Sequence, residues 1–365
     1  MAPRYRHSAV VFNNFMVIFG GVDHYQIRFN DIHLLNFMDL SWRRVLLDNT
    51  GPSPRTFHKA IEHNSDMFII GGFDGGKLND IWKINLNDLC YNSWNNPSKK
   101  NKSTVKITEK NIPDEKTQPE NHYLYNLLKP LSNYEWKEIV YDTKKGSSKS
   151  IPGCRTGHNV VFFNGKLYII GGMDVNSEMI SLSSLNIFNT INGTWTIEST
   201  KGSIPEARSG MQRSKGQSDT LDYEVGRYVN FFGGYSSKNT ILKDFYTLDF
   251  DELKWYKLII DNFDSSDFKS RLDFSINEDE GEYLIFGGRD MSLIFGDLWK
   301  LRKNELGKYI LEKIECGGIM PDKRFGHGAY KHKRHIFLFG GWNGNKCLDD
   351  FYEYSCETQL WYEIK

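Results

Sequence analysis

Six times along this chain an apolar or aromatic run ends in a Gly-Gly pair, at 20–21, 71–72, 171–172, 233–234, 287–288 and 340–341. Upstream of each pair stands an arginine: Arg4, Arg55, Arg155, Arg208, Arg271 and Arg324. The interval from arginine to first glycine is 16 residues in five copies and 25 in the fourth, which locates a nine-residue insertion near Gly216 to Asp222. A fixed interval repeated this often means one supersecondary unit copied six times, and it constrains the fold more tightly than composition does.

Each copy reads as four short strands. After the arginine comes an alternating segment such as His58-Lys59-Ala60-Ile61-Glu62, strand a. A tight turn such as Asn164-Gly165-Lys166 leads to strand b, as in Leu167-Tyr168-Ile169-Ile170. Strand c is typified by Asn79-Asp80-Ile81-Trp82-Lys83-Ile84, and strand d carries an aromatic residue: Trp42, Trp136, Trp195, Trp255, Tyr309 or Trp361. Alternation with β-branched and aromatic residues, punctuated by Gly, Asn and Asp, marks strands and hairpins. Glycine reaches positive φ and admits close neighbours, so the Gly-Gly pair is expected where the strand-d aromatic packs one unit on the next. Units of about 50 residues with four strands each point to propeller blades rather than helical solenoids.

The chain resembles the kelch-repeat family. The residues that carry the likeness are Pro54-Arg55-Thr56-Phe57-His58 with Gly71-Gly72-Phe73-Asp74 and Asn79-Asp80-Ile81-Trp82. Arg155-Thr156-Gly157-His158 with Gly171-Gly172 and Trp195 repeats it, as do Pro321, Arg324, His327, Gly340-Gly341 and Trp361. Copies four and five depart, with Met211 and Phe274 in place of the His, and Tyr309 in place of the Trp in copy five. The resemblance implies an all-β, six-bladed β-propeller of four-stranded antiparallel blades, and covers nearly the whole chain. For function it implies less, because one fold hosts many functions. Relatives of this kind serve as ubiquitin-ligase adaptors, as scaffolds or as the regulatory half of phosphatases. No BTB, F-box or phosphatase pattern stands in these residues.

The expected organisation is a single propeller over residues 1–365. The chain starts at strand a and stops at strand d, so every blade is contiguous and blade six must close the ring by packing on blade one. The 365 residues are then either the whole ring or part of a longer polypeptide. Copy two is longer than the rest, with an insertion at about 92–133. A seventh, degenerate blade is disfavoured there by the lack of a Gly-Gly pair or an alternating run. Residues 97–118 are polar, lysine-rich and free of aromatics, the composition of a disordered loop. Leu124, Leu127, Leu128 and Leu131 then fall at helical spacing, a short amphipathic turn that either packs on the rim or meets a partner. No other stretch longer than two turns has helical periodicity. Trp136 fits as strand d of blade two better than Trp94, which puts the insertion on the face of the a–b and c–d turns. The opposite face, the top, carries the b–c and d–a loops.

Composition removes several classes of function. Lys and Arg total 46 against 46 Asp and Glu, so no global field favours nucleic acid or an anionic membrane. The N-terminus has no signal-peptide apolar region, and the longest apolar run, Met16 to Phe19, is too short to span a bilayer. Five cysteines without a C-x-x-C pair argue for reduced thiols and a cytoplasmic setting, with the nucleus open. No zinc, calcium, phosphate-loop, dinucleotide or nucleophile-elbow pattern occurs, so no cofactor, no metal and no catalytic residue are expected. His7, His58, His158 and His327 recur at one repeat position and read as packing residues. His332 and His335 read as a solvated hairpin tip.

Expected partner-binding residues lie on the top face. The six arginines, at the start of the innermost strands, would ring the central opening, unless each is bonded to backbone carbonyls of a neighbouring blade. The b–c loops add Tyr25, Arg28, Phe73, Tyr235, Arg289 and Trp342, the last three aromatics being alternatively cover for the blade tops. Aromatic and Arg side chains on rigid loops are typical of binding hot spots, and Arg pairs bidentately with carboxylate or phosphate. The expectation is a non-catalytic interaction module, monomeric as isolated, that binds a protein segment, acidic or phosphorylated. A small-molecule or metal-dependent propeller enzyme is the rival, and a ring that only positions other domains through the insertion is a third reading.

Overall fold

The computed structural model describes residues 1–47, 51–95, 135–140, 150–214, 227–264 and 266–365. Six antiparallel sheets follow one another in chain order, each ordered a-b-c-d from the centre outwards. Blade one comprises Ser8–Phe12, Phe15–Phe19, Ile32–Asn36 and Ser41–Val45. Blade two comprises Lys59–His63, Asp66–Phe73, Lys77–Asn85 and Lys137–Glu138. Blade three is Asn159–Phe163, Lys166–Ile170, Ser184–Asn189 and Thr194–Ser199. In blade four the inner strand is split into Arg208–Ser209 and Gln212–Arg213, followed by Tyr228–Ser236, Ile241–Asp249 and Lys254–Lys257. Blade five is Ser275–Asp279, Glu282–Phe286, Leu298–Lys303 and Tyr309–Ile314. Blade six is Gly328–His332, His335–Trp342, Cys347–Ser355 and Leu360–Ile364. The molecule is a six-bladed β-propeller. Its blades exceed four strands in two places, where Lys201–Gly202 and Gly317–Gly318 add parallel to the outer strands of blades four and six.

The middle strands are buried at successive positions, as along Phe15–Phe19, Ile32–Asn36 and Lys166–Ile170, so both faces of a blade are buried against neighbours and the cores lie between blades. Val17, Phe19 and Leu34 of blade one meet Met67, Ile69 and Trp136 of blade two in one such cluster. Ala9, Ile18 and Leu35 of blade one meet Tyr330, Phe337 and Phe351 of blade six in another. Fully burying one such side chain contributes about 1.5–3 kcal/mol, so each interface is held chiefly by its apolar cluster.

The Gly-Gly pair supplies the polar link. The second glycine's N–H donates to the carbonyl of the next blade's arginine, as Gly21 to Arg55 (3.0 Å) and Gly172 to Arg208 (3.0 Å). Gly341 donates to Arg4 at 2.9 Å, so blade six closes on blade one by the bond used elsewhere around the ring. The space beside the first glycine is filled by that carbonyl and by the next blade's His: a Cβ on Gly20 would lie 2.9 Å from both Arg55 O and the His58 ring. The strand-d aromatics do not occupy this space. They pack against the preceding blade instead, Trp136 on Phe19 (5.4 Å between centroids) and Trp361 on Phe286 (5.1 Å).

Trp136 does lead into strand d of blade two, whose Lys137 and Glu138 pair with Lys83 and Trp82. An element absent from the sequence reading precedes it: helix α1, Leu86–Asn95. Asn85 caps it by accepting from the Asp88 N–H at 3.1 Å. Leu86, Leu89 and Cys90 turn its apolar side into the core between blades one and two, and Trp94 stacks under Arg43 at 4.0 Å. The lysine-rich stretch 97–118, the leucines at 124–131 and the insertion near Gly216 to Asp222 lie outside the described residues. The basic tip of blade six is engaged rather than merely solvated: Lys331 pairs with Asp279 at 2.5 Å, Arg334 with Glu280 at 2.6 Å, and His332 stacks on Phe37 of blade one.

Candidate functional site: the mouth of the central channel

The six repeated arginines are buried, with relative exposures of 0–6%, and this corrects the expectation that they ring the opening. Each guanidinium turns into its own blade and donates to the carbonyl of its own first glycine. Arg4 to Gly20, Arg55 to Gly71, Arg208 to Gly233, Arg271 to Gly287 and Arg324 to Gly340 are all 3.0 Å, and Arg155 to Gly171 is 3.4 Å. A carboxylate at the start of strand c then takes the fork: Asp31, Asp80, Asp244, Asp297 and Asp350, at 2.5–2.8 Å. Removing a charge of this kind from water is tolerable only with such pairing. Burial raises the Asp31 carboxyl, but the bonds from His33 and Arg4 outweigh it and hold it well below the usual carboxylate range. In blade three Ser184 stands where the aspartate belongs, and the amide oxygen of Asn186 accepts from Arg155 at 2.9 Å. Burial pushes that guanidinium down to about 10.

What does surround the opening is set by the second residue after each arginine. All six adopt positive φ: Gly157, Gly210 and Gly326 at +64 to +71°, but also Arg6, Phe57 and Asp273 at +55 to +56°. A non-glycine residue in this region costs about 1–3 kcal/mol, so three long side chains sit at the mouth against the local preference. Sequence reasoning missed them, although aligning the repeats exposes them as departures from glycine. Arg6 lies over the Phe57 ring at 4.2 Å and donates to Asp273 at 2.9 Å. Arg289 approaches the same carboxylate at 3.4 Å and lies over Phe325 at 5.0 Å. Burial raises the Asp273 carboxyl, yet Arg6 and Arg289 prevail and hold it below the usual range.

Below the mouth is a cavity of about 630 Å³. Of the residues expected to bind a partner, Phe73, Tyr235 and Arg289 line it. Arg28 stands just outside, over Phe73 at 4.8 Å, donating to the Asp74 carbonyl at 3.3 Å. Tyr25 is 73% exposed at the tip of its loop. Trp342 packs against Tyr5 at the junction of blades six and one and is cover rather than lining. The lining also includes Arg6, Lys59, Lys77 and Arg213, so that among the described residues five Lys and Arg side chains, with Arg289, stand against the single carboxylate of Asp273. Lys77 is bonded to the carbonyl of Asp174.

The b–c loops alternate around the ring. In blades two, four and six, strands b and c run on past the Gly-Gly bulge into tight hairpins. In blades one, three and five the loop is wider and is folded around an aspartate. Asp23 accepts from the Tyr25 and Ile27 N–H groups, Asp174 from Asn176 and Glu178, and Asp290 from Ser292 and Leu293. These wider loops carry exposed apolar side chains, Tyr25 and Ile27, Val175, and Met291 and Leu293. A basic centre is thus flanked by three apolar tips. Among the described residues, no group of three or more His, Cys, Asp or Glu is placed to hold a metal, and no helix is long and apolar enough to cross a membrane.

Radially arranged four-stranded blades, each bearing a Gly-Gly pair and five of the six clamped by a buried Arg–Asp pair, define a repeat propeller. The chain belongs to the kelch-repeat family: the family described as the KLHDC2/KLHL20/DRC7 Kelch-repeats domain matches residues 1–110, 113–258 and 216–365. Among curated proteins it is similar to the leucine-zipper-like transcriptional regulator 1 homolog of Drosophila melanogaster, 23% identical over all of this chain and 27% of that protein. It is similar also to acyl-CoA-binding domain-containing protein 4 of Arabidopsis thaliana, 25% identical over 63% of this chain and 33% of that protein. Host cell factor 1 of Rattus norvegicus is 25% identical over 47% of this chain and 7% of its own length. The chain therefore spans a third or less of each of these relatives.

Proposed function

We propose that this propeller is a protein-interaction module that takes an acidic segment, phosphorylated or not, across its top face. The observation that carries the reading is the stacking of Arg6, Arg28 and Arg289 on Phe57, Phe73 and Phe325. A guanidinium held over a ring has little side-chain entropy left to lose on binding, and Arg6 and Arg289 can exchange the Asp273 carboxylate for that of a ligand or for a phosphate. The apolar tips at Tyr25, Ile27, Val175, Met291 and Leu293 suit hydrophobic residues on either side of the ligand's acidic stretch. The greater length of the relatives supports a second element of the reading, that such a ring is the recognition part of a longer polypeptide.

The test is binding of an acidic peptide with apolar flanks, followed by fluorescence polarisation, against its Asn/Gln counterpart. Changing Arg28 and Arg289 to Glu should weaken the acidic peptide at least about tenfold, because each reversal places like charges together. Thermal stability should fall modestly, because Arg289→Glu also loses the pair with Asp273, while the fold is kept. Equal affinity of the double variant, or of the neutral peptide, refutes the reading.

A further inference from the structure

The outer strands of three blades are covered in one way, and blade one departs from it. The linker that follows strand d of one blade runs along strand d of the next and donates to two of its carbonyls. Lys201 and Ser203 donate to Leu253 and Trp255 of blade four, both at 2.9 Å. Gly317 and Ile319 donate to Gln359 (3.2 Å) and Trp361 (2.9 Å) of blade six. In blade five the Asp261 N–H meets the Tyr309 carbonyl at 2.8 Å, and the Asn262 side chain takes the Leu311 carbonyl at 2.7 Å. The linkers into blades two and three lie partly outside the described residues.

Leu40 and Trp42 are the counterparts in blade one. Trp42 stands opposite Leu35 as Trp255 stands opposite Leu248 and Trp361 opposite Tyr354, so its carbonyl turns outwards as theirs do. Leu40, Leu253 and Gln359, two residues earlier, share a positive φ of 56, 48 and 57°. Among the described residues no donor reaches the Leu40 or the Trp42 carbonyl. Trp255 and Trp361 are fully buried beneath their covers, whereas Trp42 is only half-buried, and Met38, Leu40 and Leu46 around it are exposed. The end of helix α1 approaches from the blade-two side, where Arg43 donates to the Ser93 carbonyl at 2.7 Å. Arg44 is exposed and has no ion pair among the described residues.

An outer strand with unpaired carbonyls is a template for strand addition. The covers of blades four and six show what such a segment must carry. Each sets a glycine opposite the tryptophan, Gly202 against Trp255 and Gly318 against Trp361. Both glycines have positive φ, +85 and +83°, and a Cβ on either would run into the tryptophan carbonyl. No glycine occurs within residues 92–133, so the insertion lacks the residue this position demands.

We propose that the outer edge of blade one takes an extended segment of a partner protein, added parallel to Ser41–Val45. The segment sets a glycine against Trp42, donates to the Leu40 and Trp42 carbonyls, and carries an acidic residue after the glycine that meets Arg44. This surface is on the rim of the ring and does not depend on the top-face reading.

The probe is a labelled peptide of residues 314–322 of this chain, the cover of blade six, with Cys316→Ser and Met320→Glu. Fluorescence polarisation against the full chain should show one saturable site. Gly318→Val in the peptide keeps every charge and should weaken binding at least about tenfold, whereas a top-face site for acidic segments would hold both peptides equally. N-methylation at Gly317 and Ile319 removes the two donors, keeps every side chain, and should abolish binding. Arg44→Glu in the chain should weaken the probe at least about threefold, and Met320→Lys in place of Met320→Glu in the peptide should restore it. Absence of a saturable site, or equal binding of the Gly318→Val or N-methylated peptide, overturns the proposal. Binding that appears only once residues 97–118 are deleted would assign the edge to the insertion. A dimer in sedimentation that the probe dissociates would assign it to a second copy of the chain. Either result overturns the partner segment.

Discussion

The Arg6 guanidinium donates to the Asp273 carboxylate at 2.9 Å, joining blade one to blade five past blade six, and both residues hold a positive φ that three other blades give to glycine. Asp273 is the single carboxylate lining the channel among the described residues. It occupies the arginine forks that an incoming acidic group would use.

Replacing it with Gly should therefore tighten an acidic ligand, by about three- to tenfold, since the competing charge is gone. Stability should change by less than about 1 kcal/mol, because relief of the left-handed backbone offsets the lost ion pair. Peptide affinity and urea midpoints of Asp273→Gly and the parent check this. Weaker peptide binding by the variant would show that the carboxylate orients the arginines rather than competing for them.

Inside the blades the opposite logic applies. Asp297 accepts from Arg271 at 2.8 Å and from Trp299 at 2.6 Å. Asp297→Ala leaves a fully buried guanidinium without its counter-charge, and should lower stability by about 3–5 kcal/mol. Urea unfolding measures it, and a loss below about 1 kcal/mol would mean that the Gly287 carbonyl alone satisfies Arg271.

The ring, its six units and the strand-d assignment of Trp136 were legible because repetition cancels local ambiguity: a pattern read six times outweighs any one doubtful strand. The role of the arginines was not. Their aspartates lie 25 to 36 residues away, at the head of strand c, and only the fold brings them together. Helix α1 was obscured because strand c runs directly into it at Asn85, although Leu86, Leu89 and Cys90 have helical spacing. Arg28, Phe73, Tyr235 and Arg289 were found at the mouth because loop residues differ between blades. Arg6, Lys59, Arg213 and Asp273 were missed because they stand at repeat positions and matter only as exceptions to them.

Acid should destabilise the protein before its carboxylates titrate. Burial pushes His58 well below the ordinary imidazole value and His158 down to about 3, and lowers His33 despite its bond to Asp31. Above the unfolded value of about 6.5 neither state binds the proton, and there is no effect. As pH falls below it, the unfolded chain takes up protons that the folded chain refuses, so stability is lost at about 1.4 kcal/mol per pH unit for each such group. The depressed Asp31, Asp273 and Asp297 act the same way only from about pH 4 downwards. Between pH 6.5 and 5, His158→Met, which places in blade three the residue of blade four, should reduce the slope by one histidine. An unchanged slope in urea melts at the two pH values would mean that His158 is protonated within the fold.

Closure of the ring without a shared blade puts unusual weight on Gly340. A Cβ there would lie 2.7 Å from the Arg4 carbonyl, which already accepts from the Gly341 N–H. Its φ is +64°, so alanine also meets backbone strain, and strain must be separated from contact. Gly193, on the c–d turn of blade three, has φ +71° and nothing within 4 Å of its would-be Cβ. Gly193→Ala should cost only the conformational penalty, about 1–2 kcal/mol. Gly340→Ala should cost more, because a backbone carbonyl cannot move aside as a flexible side chain does, and blade six must shift off blade one. Urea unfolding of the two variants gives the difference directly. Equal losses would mean that the apolar cluster of Ile18, Leu35, Phe337 and Phe351 holds the junction by itself and that the glycine contact there is incidental.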